Sequence, residues 1–457
     1  MVEDLNDLHK EGRIIGKANF VFTPEVSSRI GSVHGSMFNT NESLVMGRDY
    51  HSDSRMLKRG YTSGFMSSGT NLLNLSDSTF PLVQFTIRRF GASGGIYFSG
   101  GHSENVRASF IDAVGIEVDP HEVQKIIDSY NTYPEGARRV EPNDIGNITA
   151  IPQTEEVYIK SLQQFVNKQK IQEANLKVVV DCSYGPAGKI APLLLNELGV
   201  EVIALNTHFR KKAKVPVPNV STIKNTAEIV KASNSHFGVC FDVDGSRVLV
   251  IDENGLEKTF EELFMLFVSF DSRIQKSKGN TILTTPEIST IVKNYVEESG
   301  YPIKTVNNMP GEISRQIRAE RACFAAADTL KFYFPQFAPF SDGCFILLKL
   351  LQIMTKEDDL LSSLTRGFPK GIKINRTVNV SEKIFENFHI KIRKICDEEG
   401  YKYRDIINDL KIIGDNAYTT IKLSLNRKSI FLSAESDNTG AAREQIQNLE
   451  QIIKDME

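Results

Sequence analysis

Residues 177–206 read KVVVDCSYGPAGKIAPLLLNELGVEVIALN. Residues 178–180 form an apolar run of the kind a buried parallel strand needs, and Asp181 closes it. A loop with Gly185 and Gly188 follows. Ile190, Leu193, Leu194 and Leu198 then recur at helical spacing, with Glu197 as a polar interruption and Gly199 suited to the position just past a helix end. Residues 202–205 read as the next strand. This strand–helix–strand unit predicts a parallel pair within an α/β layer.

Similar units lie on either side. In residues 44–79 a short strand (LVMG) leads through a helix over 55–67 to Gly69 and a strand near 72–75. Ser52 or Asp53 suits the helix N-cap, with Arg48 and Asp49 just upstream as a candidate ion pair. In residues 281–307 a strand (TILTT) precedes a helix that stops at Gly300, with Pro286 at its first position. Three such units predict three similar α/β domains with mixed sheets rather than one sheet. Residues 371–457 differ. A helix over 382–398, strands near 417–424 and 429–434, and a closing helix over 442–454 predict a smaller α+β C-terminal domain. Polar or Gly/Pro-containing stretches such as GNITAIPQ and TRGFPKG suggest domains at 1–150, 151–254, 255–368 and 369–457.

Composition narrows the class. Hydrophobic residues make up 40% and charged residues 24%, as in ordinary globular chains, and the net charge of -3 offers no field for nucleic acid or anionic lipid. Cys182, Cys240, Cys323, Cys344 and Cys396 are odd in number and form no CxxC pair, which suggests reduced thiols and a cytoplasmic protein. No apolar run approaches the ~18 residues of a membrane span, and the polar start MVEDLNDLHKEGRI is unlike a signal peptide. There is no tryptophan, which weakens a tryptophan-platform sugar site.

Chemistry concentrates in a few loops. In FDVDGSRVLVIDENG, residues 241–255, Asp242 and Asp244 alternate at a strand end, Gly245 permits a tight turn, and Arg247 precedes an apolar strand. Alternate carboxylates converge on a hard cation such as Mg2+, and an adjacent arginine suits a phosphate. A solvated Asp/Gly turn is the plainer alternative. GEIS at 311–314 reads either as a hydroxyl-binding loop or as the first turn of a helix, the second being the commoner case. Arg427 and Lys428 lie in a SLNRKS turn and are candidates for an anion contact, a solvated basic hairpin being the commoner case. GGIYFSGGHSENVR, residues 94–107, passes from a strand into a loop of small residues around His102. Such loops hold phosphates or nucleophiles; a local packing role for a lone histidine is the simpler alternative.

The order of these loops, with GRD at 47–49, SDGCFILLKLLQIM at 341–354 and NDLKI at 408–412, resembles the α-D-phosphohexomutase superfamily over nearly the whole chain. The resemblance implies four domains around a central cleft. It also implies transfer from a phosphoserine to a sugar monophosphate, with Mg2+ offsetting charge. Each of the four loops departs from the family pattern. Gly101 stands at the serine position, leaving Ser99 and Ser103 as alternative nucleophiles beside His102. Asp242 and Asp244 match the metal loop, but its third aspartate is Ser246. In FAAADTLKF, residues 324–332, Ala327 replaces the sugar-binding glutamate and Thr329 the serine, with Lys331 nearby. In the phosphate loop Ser424 persists beside Arg427 and Lys428. The arginine–glycine pair expected near the N-terminus is missing around Ile15 and Gly16.

The stretch SRMLKRGYTSGFMSSGTNLLNL, 54–75, is similar to the degenerate mutase-like domains joined to sugar nucleotidyltransferases, although no GGxGTRL-type loop is present. The resemblance leaves three readings. The first is a noncatalytic or diverged homologue that binds a hexose phosphate or a sugar nucleotidyltransferase. The second is an active phosphomannomutase or phosphoglucomutase with a shifted serine. The third is a structural subunit with an empty cleft, used only for assembly, with self-association as one form of it.

Overall fold

The computed structural model describes residues 4–10, 12–100, 105–209, 218–286, 288–406, 409–414, 417–423, 429–436 and 438–456. The chain resolves into two compact units. One comprises Met1–Ile282 with Asn308–Arg366, the other Leu283–Asn307 with Gly367–Glu457.

The first unit contains a seven-stranded sheet in the order His9–Lys10, Arg13–Lys17, Asn105–Asp112, Gly94–Ser99, Ser43–Arg48, Asn71–Asp77, Ile148–Ala150. The middle strands run parallel, whereas Gly94–Ser99 and Asn105–Asp112 are antiparallel, with Ser99 opposite Arg107. That register puts Arg107 at the same end of the sheet as the loop after Ser99. A four-stranded sheet follows in the order Val248–Asp252, Phe237–Phe241, Lys177–Asp181, Glu201–Leu205. Lys177–Asp181 and Glu201–Leu205 pair in parallel, as expected from the quoted stretch, and Gly199 takes the left-handed conformation after the intervening helix. Residues 308–366 add the helix Glu312–Glu320, a hairpin of Phe324–Ala327 with Lys331–Tyr333, and the largely buried helix Gly343–Glu357.

Two helices in this unit touch at glycines. Pro24–Gly35 and Ser52–Met66 approach so closely that a Cβ on Gly64 would overlap the Ser28 carbonyl. One on Gly31 would overlap the carbonyl of Tyr61. The SRMLKRGYTSGFMSSG stretch is thus a backbone-to-backbone contact, packed on Leu57, Tyr61 and Phe65 of the core. The helix begins at Ser52, but its N-cap is His51, which makes no side-chain cap bond, and neither Ser52 nor Asp53 caps it. Asp49 Oδ1 accepts the His51 N–H at 3.0 Å, which fixes the chain in an extended conformation and starts the helix before Ser52 is free to cap. The expected Arg48–Asp49 ion pair also gives way. Arg48 pairs with Asp77 on the neighbouring strand and donates to the Asp49 backbone carbonyl.

In the second unit five antiparallel strands follow the order Ile372–Asn379, Ser429–Ser436, Tyr418–Leu423, Asp409–Ile413, Lys402–Ile406. The helices Glu382–Glu399 and Thr439–Asp455 pack on them through Ile384, Phe388, Ile392, Leu449 and Ile453. The segment 283–307 belongs here because Glu435 receives the Ser289 hydroxyl at 2.5 Å and the Thr290 N–H at 3.1 Å. A carboxylate at a helix start satisfies open N–H groups and suits the helix dipole. The helix accordingly spans Thr290–Glu298 with Ser289 as N-cap, and Pro286 lies in the turn ahead of it rather than at its first position.

The architecture is mixed α/β, with several sheets of parallel and antiparallel strands and a smaller α+β region at the C-terminal end. All five cysteines are free thiols. Among the described residues no helix is long and apolar enough to cross a membrane.

Candidate functional site

The strand Gly94–Ser99 ends against Asp49, which is fully buried. Its Oδ2 accepts the Gly100 N–H at 2.6 Å and the Ser99 hydroxyl at 3.3 Å, with His51 Nδ1 at 3.1 Å. Burial alone would raise the Asp49 pKa, but the contacts from His51, Ser54 and the Gly100 N–H outweigh it and hold the group below its usual value. Asp49 thereby anchors the entry to the loop. Gly101, His102, Ser103 and Glu104 lie outside the described residues, as do Ser424, Arg427 and Lys428.

The turn after Phe237–Phe241 carries Asp242, Asp244, Ser246 and Arg247. Gly245 has φ +75 there, a conformation side-chain-bearing residues rarely adopt. Each of the four carboxylate oxygens has a partner. Asp242 Oδ1 accepts the Arg247 N–H at 3.2 Å. Its Oδ2 lies 2.7 Å from Arg247 Nε and accepts the Ser246 hydroxyl at 3.3 Å. Asp244 Oδ1 accepts the Ser246 N–H at 3.0 Å, and Arg107 Nη2 donates to Oδ2 at 2.7 Å. Burial opposes the charge of Arg247, but Asp242 and Asp244 outweigh that effect and raise its pKa.

The turn is clamped from three directions. The Phe80 N–H donates to the Asp244 carbonyl at 2.8 Å, and the Gly343 N–H donates to the Gly245 carbonyl at 3.0 Å. The Ser341 hydroxyl donates to the Ser246 carbonyl at 2.7 Å. The SDG of 341–343 thus acts twice. It holds this turn, and Asp342 caps the helix Gly343–Glu357 by accepting the Cys344 and Phe345 N–H groups. Asp342 also receives the Tyr158 hydroxyl.

The hairpin Phe324–Ala327/Lys331–Tyr333 forms the adjoining wall. Ala327 is buried opposite Lys331, and the exposed Thr329 offers its backbone carbonyl to Arg247 Nη1 at 3.3 Å. Lys331 lines a cavity of about 20 Å³ with Glu117, Ser246, Gly311, Tyr333 and Ser341, room for about one water. Burial and then the charge of Arg247 lower the Lys331 pKa to about 8. Glu117 forms a two-point ion pair with Arg13, both contacts at 2.7 Å. Burial would raise Glu117, but Arg13 outweighs it and brings the pKa to about 2. Glu312 of the GEIS stretch sits in the first turn of a helix, the plainer of its two readings.

The structure therefore brings Ser99, Asp242, Asp244, Ser246, Arg247, Ala327, Thr329 and Lys331 into one unit, and it adds Arg107, Glu117, Arg13 and Asp49. Arg107 was visible in the GGIYFSGGHSENVR stretch, but only strand register aims it at Asp244. Glu117 and Arg13 left no local signal, because their partnership joins positions far apart in sequence. Among the described residues no group of three or more His, Cys, Asp or Glu side chains is arranged to hold a metal ion.

Residues 7–137 match the family described as phosphoglucomutase/phosphomannomutase, alpha/beta/alpha domain I, and residues 156–255 match its domain II. The chain belongs to the α-D-phosphohexomutase superfamily. This phosphohexomutase-family chain is 26% identical to a phosphoglucomutase/phosphomannomutase of Thermococcus kodakarensis, over 94% of this chain and 95% of that protein. It is 22% identical to a phosphoglucosamine/phosphogalactosamine mutase of Sulfurisphaera tokodaii, over 96% of this chain and 97% of that protein. Its fold is similar to that of a phosphoglucomutase/phosphomannomutase family protein of Burkholderia thailandensis, with a TM-score of 0.85, 18% identity, and coverage of 99% of this chain and 98% of that one.

Proposed function

We propose that this phosphohexomutase-family chain is a noncatalytic or diverged member that keeps its cleft as a binding site for a hexose phosphate. The observation that carries this reading is Gly101, which stands at the position the resemblance gives to the phosphoserine. Glycine has no hydroxyl to phosphorylate, so the family's covalent route cannot pass through it. Loss of a nucleophile removes several kcal/mol of barrier lowering or more. Ala327 points the same way, since it offers no oxygen where the resemblance expects a sugar-binding carboxylate.

The ligand class comes from the relatives, which are named as mutases of phosphorylated hexoses and hexosamines. Arg247 and Lys331 supply N–H donors for its anionic group. Mg2+ is weak or absent in this reading. The ion needs open oxygens in near-octahedral order; here every oxygen of Asp242 and Asp244 already accepts or faces an N–H or O–H group. Ser246 also spends its hydroxyl on Asp242. The donor set does not suit the ion without displacing an arginine. A nucleotide-sugar enzyme, such as a sugar nucleotidyltransferase, is the class of protein partner that fits this reading, in the cytoplasm.

An active mutase with a shifted nucleophile is the second reading. Ser99 is 1% exposed and its hydroxyl is committed to Asp49, which weighs against it as the acceptor. Ser103 is the other candidate. A coupled assay with mannose 1-phosphate and glucose 1-phosphate, a hexose bisphosphate and Mg2+ separates the two readings. No turnover is expected, together with a hexose-phosphate-dependent thermal shift that Arg247→Gln removes. Robust turnover that Ser103→Ala or Ser99→Ala abolishes would establish the active enzyme instead. A folded protein that shows no shift with any hexose phosphate would leave only the self-associating structural subunit.

A further inference from the structure

We infer that the guanidinium of Arg107, held on Asp244 while Arg247 holds Asp242, takes the place of a divalent cation at this turn, making this a metal-free cleft whose positive charge is built into the chain. The contact to Asp244 is 2.7 Å and both groups are largely withdrawn from water, with side-chain exposures of 16% and 2%. Arg247 pairs with Asp242 at the same distance. Among the described residues two carboxylates of the turn thus face two guanidiniums, and these two ion pairs balance in charge without a metal. A dication entering it would meet two fixed positive charges. It would also have to strip a charge-assisted hydrogen bond from a buried carboxylate.

The backbone discourages that exchange. The turn is pinned at Asp244, Gly245 and Ser246 by Phe80, Gly343 and Ser341. Mg2+ demands oxygens at ~2.1 Å in octahedral order and surrenders its waters reluctantly. A turn held on three sides cannot easily rearrange to meet that geometry. Arginine, by contrast, stays charged at any accessible pH and fits a carboxylate through directed N–H groups. The source of Arg107 is also telling: it projects from a strand of the seven-stranded sheet, not from the turn itself. The exchange therefore depends on the packing of two sheets, and it holds whether or not the cleft binds a hexose phosphate.

The test is a Mn2+ titration of the full chain, read by the loss of free-ion EPR signal, for the native protein, Arg107→Ala, Arg107→Gln, Asp244→Asn and Arg107→Ala/Asp244→Asn. The native protein is expected to show no saturable site at low millimolar Mn2+. Removing Arg107 is expected to create one, with apparent affinity at least roughly tenfold tighter. That site should be competed by Mg2+ and lost on adding Asp244→Asn. The inference is overturned if the native protein binds Mn2+ at a site that Asp244→Asn alone removes. It is equally overturned if Arg107→Ala and Arg107→Gln, folded by circular dichroism, both bind no more Mn2+ than the native chain. The native measurement decides by itself if either variant unfolds.

Discussion

The buried Asp49 carboxylate receives the Gly100 N–H at 2.6 Å and the Ser99 hydroxyl at 3.3 Å, so the loop after Ser99, to which the resemblance assigns the phosphoserine, begins at a fixed anion. Removing that anion leaves several donors without an acceptor in a site closed to water. Asp49→Ala is expected to cost roughly 2–4 kcal/mol, whereas Ser99→Ala should cost about 1 kcal/mol. Urea unfolding of both variants measures the difference. Equal, small losses would show that Asp49 does not organise this loop.

Asp342 gives a signed pH dependence. Burial raises its pKa to about 6, despite hydrogen bonds from Tyr158, Phe345 and Cys344 that favour the ionised form. A raised carboxyl pKa means that the folded chain holds the proton more tightly than the unfolded chain. Its stabilising contribution is therefore full below the unfolded value near 4 and disappears as pH rises through about 6. Between about pH 5 and pH 7 the native protein should lose about 1 kcal/mol more stability than Asp342→Asn, which retains a capping side chain. Denaturant unfolding at the two pH values supplies the comparison, and parallel losses in the two proteins would refute it.

Lys331 should titrate apart from most other lysines. Burial and the neighbouring Arg247 bring its pKa to about 8, and among the described residues burial near Arg48 likewise brings Lys58 to about 7. In the 13C-methyl NMR spectrum of reductively methylated protein, the resonances of these two lysines are expected to titrate well below the ordinary value of about 10.4. Lys331→Gln should remove one of them. A hexose phosphate bound beside Lys331 favours its charged form and should move that resonance to higher pH. An unchanged titration at saturating hexose phosphate would place the ligand elsewhere.

Gly64 offers a packing test with opposing local and tertiary effects. Alanine is better than glycine in a helix by up to about 1 kcal/mol, yet its Cβ here would overlap the Ser28 carbonyl. Backbone cannot yield as a flexible side chain does, so Gly64→Ala is expected to destabilise by about 1–3 kcal/mol. Gly367→Ala, at a position with no atom close to the added carbon, should change stability by less than about 0.5 kcal/mol. Thermal or urea unfolding of the pair checks the sign, and a stabilised Gly64→Ala would mean the helices can part.

The sequence by itself determined the elements with strong local periodicity. The apolar run at 177–181, the helix before Gly199 and the parallel return at 201–205 follow from spacing and a glycine stop. The helices of the C-terminal region were equally legible from their apolar periodicity. The strand Ile372–Asn379 escaped notice because it is largely exposed and alternates charged with apolar residues, and Lys402–Ile406 and Asp409–Ile413 are short. The start at Thr290 has a local signal in Ser289, which caps the helix by accepting the Ile291 N–H, but its tie to Glu435, far away in the chain, was not legible beside Pro286.

The same division runs through the site. Asp242, Asp244 and Arg247 were readable because one tight turn carries them, whereas the reading of Gly101 rests on the resemblance and falls outside the described residues. Tertiary structure alone decided that Arg107 faces Asp244, that Arg13 neutralises Glu117 and that Lys331 lies close to Arg247. Those partnerships fix charge, and charge in a cleft depends on which distant strands share an edge. Local spacing can nominate a ligand set; only the packing of separate sheets determines whether its oxygens remain open.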